Sequence, residues 1–145
     1  SSGLRRMAVR GTPQEALDEL GPEVTGAMHD PQALSQVRDR VTSYLMGEPV
    51  SLLDIRLDLE DSPPFFGAAW NACRRIPAGE TRSYRWLASH AGRPRAVRAA
   101  GQAMARNPIV LVVPCHRVVA RDGSLHGYGG GLDQKARLLE LERGR

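Results

Sequence analysis

Residues that cross-link small proteins or anchor them in membranes are scarce in this sequence. Two cysteines, Cys73 and Cys115, are too few for a disulfide framework in a chain of 145 residues. The four histidines are scattered, and neither C-x-x-C nor H-x-x-x-H spacing occurs, so no zinc site is predicted. The longest apolar run, Ile109–Pro114, is far too short to cross a bilayer, and no charged-then-apolar leader opens the sequence. We therefore expect a cytoplasmic protein in which Cys115 is a free thiol.

Acidic residues are scarce in the second part of the chain, and lysine is nearly absent throughout. Residues 61–145 carry 14 Lys or Arg against 6 Asp or Glu, a balance of +8, whereas residues 1–60 carry a balance of −4. Within 74–121, ten arginines face a single acid, Glu80. This asymmetry favours a polyanion as partner of the C-terminal part. Charge alone leaves a solvated basic face as an equal alternative.

Helical periodicity followed by an alternating segment characterises the first 60 residues. One helix is predicted from Pro13 to the Gly21-Pro22 stop, and a second from about Asp30 to Met46. The segment "SLLDIRLDLE" (51–60) alternates apolar and charged residues, which predicts a half-buried strand. "DSPP" (61–64) then predicts a domain boundary.

After this boundary the pattern predicts a helix over Phe65–Ile76 and then two short helices joined by "GRP". The pair covers Ser83–Ala91 and Pro94 or Arg95 to Ala105, which is typical of a helix-turn-helix. The second helix is rich in alanine and glycine, with Arg98 and Arg106 projecting. Such a thin helix is suited to close packing in a core, or to insertion into a DNA groove.

A chemically distinctive segment follows this helix pair. Asn107-Pro108 ends the second helix, and Ile109–Val113 is predicted to form a buried strand. Cys115-His116-Arg117 then lies at the strand's end, where open sheets usually place functional groups. A glycine-rich loop and a helix over Leu132–Glu142 complete the chain.

Taken together, these segments resemble the O6-alkylguanine-DNA alkyltransferases. The resemblance rests on "SYRWLASHAGRPRAVRAAGQAMARNPIVLVVPCHRVV" followed by "GYGGGLDQKARLLELE", and it covers roughly residues 50–143. It implies an α/β (α+β) protein with a small N-terminal α/β domain (1–61) and a C-terminal winged-helix-like, helix-turn-helix alkyltransferase domain (62–145). The family usually opens with a hairpin, whereas this sequence begins with Ser1-Ser2-Gly3 and "LRRMAVRG". We therefore expect the N-terminal domain to be incomplete or shortened.

The resemblance implies repair by direct reversal, in which the protein takes an alkyl group from O6-alkylguanine, or from O4-alkylthymine, and is not regenerated. Cys115 would be the acceptor, because alkyl transfer needs a soft nucleophile and a thiolate is far better than a thiol. His116 would take the thiol proton through a water, and Glu142 would hold the imidazole. Asn107 would fix the turn that presents the sulfur, and Tyr84 would donate to the departing base.

The resemblance also implies a base pocket and a DNA-binding face on double-stranded DNA that contains O6-alkylguanine. The pocket would be formed by Val118, Val110, Tyr128, Gly129 and Gly130. The DNA-binding residues would be Arg98, Ala99, Gly101, Ser83 and Arg95. Among them Arg98 would fill the gap left by the flipped nucleotide, which lowers the cost of unstacking. Neither metal nor cofactor is implied, and we expect a monomer that is cytoplasmic and associated with DNA.

Three other readings compete with alkyl transfer. An alkyltransferase-like protein would bind the lesion without transfer, but such proteins resemble this family with the cysteine replaced, whereas Cys115 is present. A Cys-His hydrolase would need an oxyanion hole, which nothing in a basic domain with a thin helix requires. A DNA-binding regulator would explain the charge and the helix pair but would leave the setting of the thiol unexplained.

Overall fold

The computed structural model describes residues 3–10, 12–22, 28, 30, 32–120, 122 and 131–144. Within these ranges the chain forms six α-helices, one two-stranded parallel ladder and a short 3-10 turn. The helices are α1 (Pro13–Leu20), α2 (Ser35–Leu45), α3 (Pro64–Arg74), α4 (Tyr84–His90), α5 (Val97–Ala105) and α6 (Leu132–Glu142). The strands are β1 (Arg82–Ser83) and β2 (Val118–Val119), and the 3-10 turn covers Cys115–Arg117.

Local sequence signals account for both ends of α1. The Oγ1 atom of Thr12 accepts a bond from the Glu15 amide, and the Glu15 carboxylate accepts one from the Thr12 amide, each at 3.2 Å. These reciprocal bonds form a capping box. Pro13 occupies the first helical position, where the missing N–H of proline costs no helical hydrogen bond. Gly21 ends the helix with a φ of 70°, which glycine adopts without steric cost. The predicted first helix is confirmed.

Helices α3, α4 and α5 pack against one another and contribute a large part of the buried core. Ala100 and Ala103 of α5 are fully buried, so small residues on this side allow close helix packing. Trp70 of α3 donates from Nε1 to the carbonyl of Ala103 at 2.8 Å, which satisfies its one polar atom. Cys73 is also fully buried in this core. The thinness of α5 therefore serves core packing on its inner side.

The predicted strand over residues 51–60 is wrong. The segment is irregular and takes part only in an isolated bridge between Leu57 and Leu4. The guanidinium of Arg74 donates to the carbonyls of three residues that a partner strand would otherwise bond, namely Leu52, Leu53 and Ile55. Tertiary hydrogen bonds from one arginine thus override the alternating pattern.

The predicted strand over Ile109–Val113 is also wrong, although its burial is confirmed for most of its residues. Leu111 has a φ of 69°, which interrupts the extended conformation that a strand requires. Val113 donates its amide back to the carbonyl of Ile109 at 2.9 Å, so the segment folds on itself. Ile109 also forms a parallel bridge with Met7. The cysteine therefore follows a tight, buried bend and not the end of a strand.

The remaining helices agree with the prediction but differ at their ends. Helix α2 begins at Ser35, five residues later than predicted, and α3 ends at Arg74. Pro94 and Arg95 form a turn before α5, which begins at Val97. Helix α6 has the predicted bounds, and its Leu138 is buried.

The ladder between β1 and β2 pairs Arg82 with Val118 and Ser83 with Val119. Because α4 starts directly after β1 and the 3-10 turn ends directly before β2, this ladder ties the helix pair to the cysteine-bearing turn. The predicted class of mixed helix and sheet is confirmed. The division at residue 61 remains a prediction.

Candidate active site

Cys115 begins the 3-10 turn, and 7% of its surface is exposed. Its amide donates to the carbonyl of Val113 at 2.8 Å, and the amide of Arg117 donates to that of Pro114 at 2.9 Å. These bonds leave little freedom to the backbone on either side of the sulfur. The bend therefore presents a single, nearly buried thiol in a fixed position.

Asn107 holds this bend from the end of α5. Its Nδ2 atom donates to the carbonyl of Val113 at 2.8 Å and to the sulfur of Cys115 at 3.1 Å, and its Oδ1 atom accepts from the amide of Ile109 at 2.9 Å. One side chain thus spans the buried segment and reaches the thiol. The predicted positioning role of Asn107 has the geometry it needs.

The carboxylate of Glu142 accepts hydrogen bonds from three different side chains. The Oε2 atom of Glu142 lies 3.0 Å from Nε2 of His116, 2.6 Å from Nη2 of Arg117 and 2.5 Å from the hydroxyl of Tyr44. Nε of Arg117 also donates to Oε1 of Glu142 at 2.9 Å. Both His116 and Glu142 have fully buried side chains. We refer to Tyr44, His116, Arg117 and Glu142 as the Glu142 cluster.

Protonation within the Glu142 cluster follows from these bonds. Burial alone raises the pKa of Glu142, but the hydrogen bonds from His116, Arg117 and Tyr44 hold it far below its ordinary value. An ionised carboxylate only accepts hydrogen bonds, so Nε2 of His116 carries a proton. Burial also lowers the pKa of His116, while Glu142 opposes this shift. His116 is therefore neutral at pH 7, with its unprotonated Nδ1 buried and unpaired among the described residues.

Burial raises the pKa of the Cys115 thiol. The hydrogen bond from Asn107, the charge of Lys135 and backbone amides oppose this shift. The resting thiol is therefore protonated at neutral pH, and a neutral imidazole next to it in sequence is the kind of base that could remove its proton.

Tyr84 is the first residue of α4 and is half-buried. Burial raises its pKa, and negative charge on Cys115 would raise it further, so its hydroxyl remains a donor at neutral pH. Val118 is fully buried, and its carbonyl accepts a bond from Nζ of Lys135 at 2.8 Å. Val110 lines a small cavity beside Cys115, with a volume of about 60 Å³.

Residues from the N-terminal part also reach this cavity. Arg10 and Glu19 line it and form an ion pair, with Nη2 and Oε1 separated by 2.9 Å. Asn107 lines the same cavity. Side chains from both parts of the chain therefore line the cavity that Cys115 borders.

The predicted DNA-binding residues lie on the outer side of α4 and α5. Arg95 and Arg98 are exposed, and Ala99 is half-buried. A Cβ atom added to Gly101 would meet no other atom within 4 Å, so the helix backbone faces open space there. Ser83 caps α4 by accepting from the amide of Trp86 at 3.0 Å. The guanidinium of Arg106, by contrast, lies over the ring of Phe66 within the protein.

The structure joins Asn107 to the sulfur of Cys115, and His116 to Glu142, by hydrogen bonds, and His116 directly follows Cys115 in the 3-10 turn. The predicted pocket residues Tyr128, Gly129 and Gly130 lie outside the described residues. The functional roles of all these residues remain predictions.

Sequence reasoning missed Tyr44 and Lys135. Tyr44 looked like one apolar position on the stripe of α2, and only its hydroxyl distinguished it from a core residue. Lys135 carries a stronger signal, because it is the single lysine in a chain with nineteen arginines. It is 1% exposed, which is unusual for lysine and calls for a buried partner.

The described parts of the chain offer neither a candidate metal cluster nor a membrane-spanning helix. These residues contain no cluster of three or more His, Cys, Asp or Glu side chains suited to a metal ion. None of the helices in the described ranges is long and apolar enough to cross a membrane.

Comparison with known proteins identifies related sequences over most of the chain. The family model described as "6-O-methylguanine DNA methyltransferase, DNA binding domain" matches residues 64–144. A methylated-DNA–protein-cysteine methyltransferase of Mycolicibacterium paratuberculosis is 48% identical over 84% of this chain and 73% of its own length. The inducible methylated-DNA–protein-cysteine methyltransferase of Bacillus subtilis is 38% identical over 99% of this chain and 82% of its own length.

Solved structures are similar over the same region. An O6-methylguanine methyltransferase of Mycobacterium tuberculosis matches with a TM-score of 0.80 and 40% identity, over 100% of this chain and 84% of that one. A crystal structure of M. tuberculosis OGT in complex with DNA matches with a TM-score of 0.70 and 45% identity, over 76% of this chain and 67% of that one.

Proposed function

Because this chain belongs to the methylated-DNA–protein-cysteine methyltransferase family, we propose that it repairs DNA by direct reversal. It transfers the alkyl group of O6-alkylguanine, and of O4-alkylthymine, to Cys115 in a single turnover. The observation that carries this proposal is the buried thiol of Cys115, which lies 3.1 Å from Nδ2 of Asn107 and is followed in the chain by His116, the partner of Glu142. Neither a metal nor a cofactor has a part in the proposed step.

Activation of the thiol is the first requirement of the proposed reaction. Burial keeps the pKa of Cys115 above its ordinary value, so the proton must be removed for the sulfur to attack. Neutral His116 accepts this proton through a water and becomes an imidazolium ion. Buried Glu142, 3.0 Å from Nε2, stabilises that cation. Asn107 stabilises the thiolate by donating to it.

Transfer then exchanges one bond for another. The sulfur–carbon bond forms as the bond between the alkyl carbon and O6 breaks, and the bonding electrons pass to the guanine. Tyr84 offsets this developing charge by donating a proton to the base. His116 then releases the thiol proton to solvent, and Tyr84 takes up a proton from solvent, so that the guanine has gained the one proton that Cys115 lost. Cys115 ends as a stable thioether. Because the alkyl group is not released from the sulfur, each protein molecule reacts once.

The outer face of α4 and α5 binds the damaged DNA in this proposal. Arg95 and Ser83 contact phosphates, while Ala99 and Gly101 let the helix backbone approach the groove closely. Arg98 fills the space of the extruded nucleotide, and Val110, Val118 and the loop around residues 128–130 form the base pocket. Since most contacts are to the backbone, binding is weakly sequence-specific and weakens with added salt.

The direct test is to incubate the protein with duplex DNA that carries one O6-methylguanine and to measure peptide masses. We expect one methyl group on the Cys115 peptide, in stoichiometric yield, and none in Cys115→Ser. Cys73→Ala is the matched control, because Cys73 is a fully buried thiol that has no part in the proposed transfer and should not be needed. Methylation that persists in Cys115→Ser, or that is lost only in Cys73→Ala, would refute the assignment.

Binding of the lesion without transfer is the alternative outcome of the same experiment. Tight binding to the modified duplex with no change of mass would identify a lesion-binding protein, which the presence of Cys115 disfavours. We propose further that the protein acts as a monomer in the cytoplasm, associated with DNA. A sedimentation measurement with and without duplex DNA tests the monomeric state.

A further inference from the structure

We infer that Tyr44 is a positioning residue for the transfer reaction, because its hydroxyl shares one oxygen of Glu142 with His116 and so limits how strongly that carboxylate holds the imidazole. The inference rests on the proposed function, and it adds to the active site a residue from the N-terminal part of the chain. The transfer step proposed above uses Asn107, Cys115, His116 and Glu142 and assigns no role to Tyr44.

The geometry places two donors side by side on one acceptor. The Tyr44 hydroxyl lies 2.5 Å from Oε2 of Glu142, Nε2 of His116 lies 3.0 Å from the same atom, and the hydroxyl and Nε2 are 3.5 Å apart. Because Nε2 carries a proton toward the carboxylate, the hydroxyl also directs its hydrogen there. The two groups therefore compete for one oxygen.

Packing alone does not call for a tyrosine at this position. Tyr44 is 2% exposed within the core, where a phenylalanine of nearly the same shape would bury the same apolar surface. A buried hydroxyl is costly unless it is hydrogen-bonded. Here its partner is the ionised group that also holds His116, which gives the hydroxyl a role in charge balance.

That charge balance decides whether His116 can act as a base. The pKa of His116 depends on its burial and on three charged neighbours. Burial and the charges of Arg117 and Lys135 lower this pKa, whereas Glu142 raises it. Cys115 and, more distantly, Cys73 and Tyr84 are the other titratable groups in this region. The hydroxyl of Tyr44 offsets part of the negative charge on Glu142. Without it His116 would protonate at a higher pH, and a protonated imidazole cannot accept the thiol proton.

The test is the single-turnover rate of methyl transfer in Tyr44→Phe, measured from pH 5.5 to 9 with excess protein over O6-methylguanine duplex. We expect the acid limb of the profile to move upward by about 0.5 pH unit or more, while the plateau at high pH changes little. Since one unit is tenfold in a protonation equilibrium, the rate on the acid limb falls about threefold.

Val41→Ala provides the matched control for packing. Val41 lies on the same helix and packs against the core, but its side chain has no hydroxyl that could bond Glu142. Its truncation should lower the temperature of unfolding and leave the acid limb in place. An equal shift in Val41→Ala would show that looser packing of α2 is the cause and would overturn the inference.

A titration of the free protein separates this inference from the proposed function. The ring nitrogens of His116, followed by NMR in ¹⁵N-histidine-labelled protein, should titrate at higher pH in Tyr44→Phe than in the unmodified chain. This measurement needs neither DNA nor transfer, so it stands even if no methyl group is transferred. Superimposed His116 titrations would overturn the inference, whatever the rates show.

Discussion

Replacing Glu142 with glutamine removes the one negative charge at the centre of the Glu142 cluster while keeping the side chain's volume. Arg117 then keeps its charge with only 12% of its side chain exposed. Removing one partner of a buried ion pair costs about 3–5 kcal/mol, because the other charge is left uncompensated. Arg117 retains its bond to the carbonyl of Ile76 at 2.7 Å, and glutamine still offers one oxygen. We therefore expect a loss near the lower end, about 3 kcal/mol of unfolding free energy.

Urea denaturation followed by tryptophan fluorescence measures this loss, and thermal unfolding should show a fall in Tm of about 6–12 °C. The matched control is Glu140→Gln on the same helix. Glu140 pairs with Arg143 at 2.8 Å, but both side chains are exposed, at 69% and 76%. An exposed pair contributes about 0–1 kcal/mol, so this variant should remain close to the unmodified chain.

The difference in unfolding free energy between Glu142→Gln and the unmodified chain should become smaller in acid. The pKa of Glu142 is held below its ordinary value of about 4.5, so the stability that its charge contributes is present above that pH and is lost as the pH falls further. The gap between Glu142→Gln and the unmodified chain should therefore shrink below about pH 4.5. Equal stabilities for Glu142→Gln and Glu140→Gln at pH 7, or a gap that widens in acid, would refute this account of the cluster.

Three further substitutions test other parts of the site. Asn107→Ala removes the bonds that hold the bend and the sulfur, so single-turnover transfer should fall about 100-fold, and an unchanged rate would contradict its positioning role. Lys135→Met removes a charge that lowers the pKa of Cys115, so thiol alkylation at pH 7 should slow by about 2–5-fold, and faster alkylation would argue against this effect. Gly101→Ala should stabilise the free protein by up to about 1 kcal/mol yet weaken duplex binding, and undiminished binding would place α5 away from the groove.

Much of the local structure and of the reacting group was accessible from the sequence. Thr12 and Glu15 have the spacing of a capping box, and α6 has the predicted bounds, because caps and helical periodicity act over a few residues. The Cys115-His116-Arg117 triplet marked the thiol as a candidate, because a cysteine next to a histidine in the sequence is a chemically distinctive pair. The family resemblance added Asn107, which does reach the sulfur, and Glu142, which does bond His116.

Tertiary structure decided what local patterns leave open. Alternation in residues 51–60 predicted a strand, but Arg74 takes the carbonyls that a strand would pair, and nothing within the segment reveals a partner so far along the chain. Tyr44 fitted an apolar stripe equally well with or without its hydroxyl. Its carboxylate partner lies 98 positions away, and periodicity predicts which face of a helix is buried but not which polar atom its tip will meet. The candidate nucleophile could therefore be proposed from adjacent residues, whereas the hydrogen bonds that surround the proposed base form only when distant segments pack together.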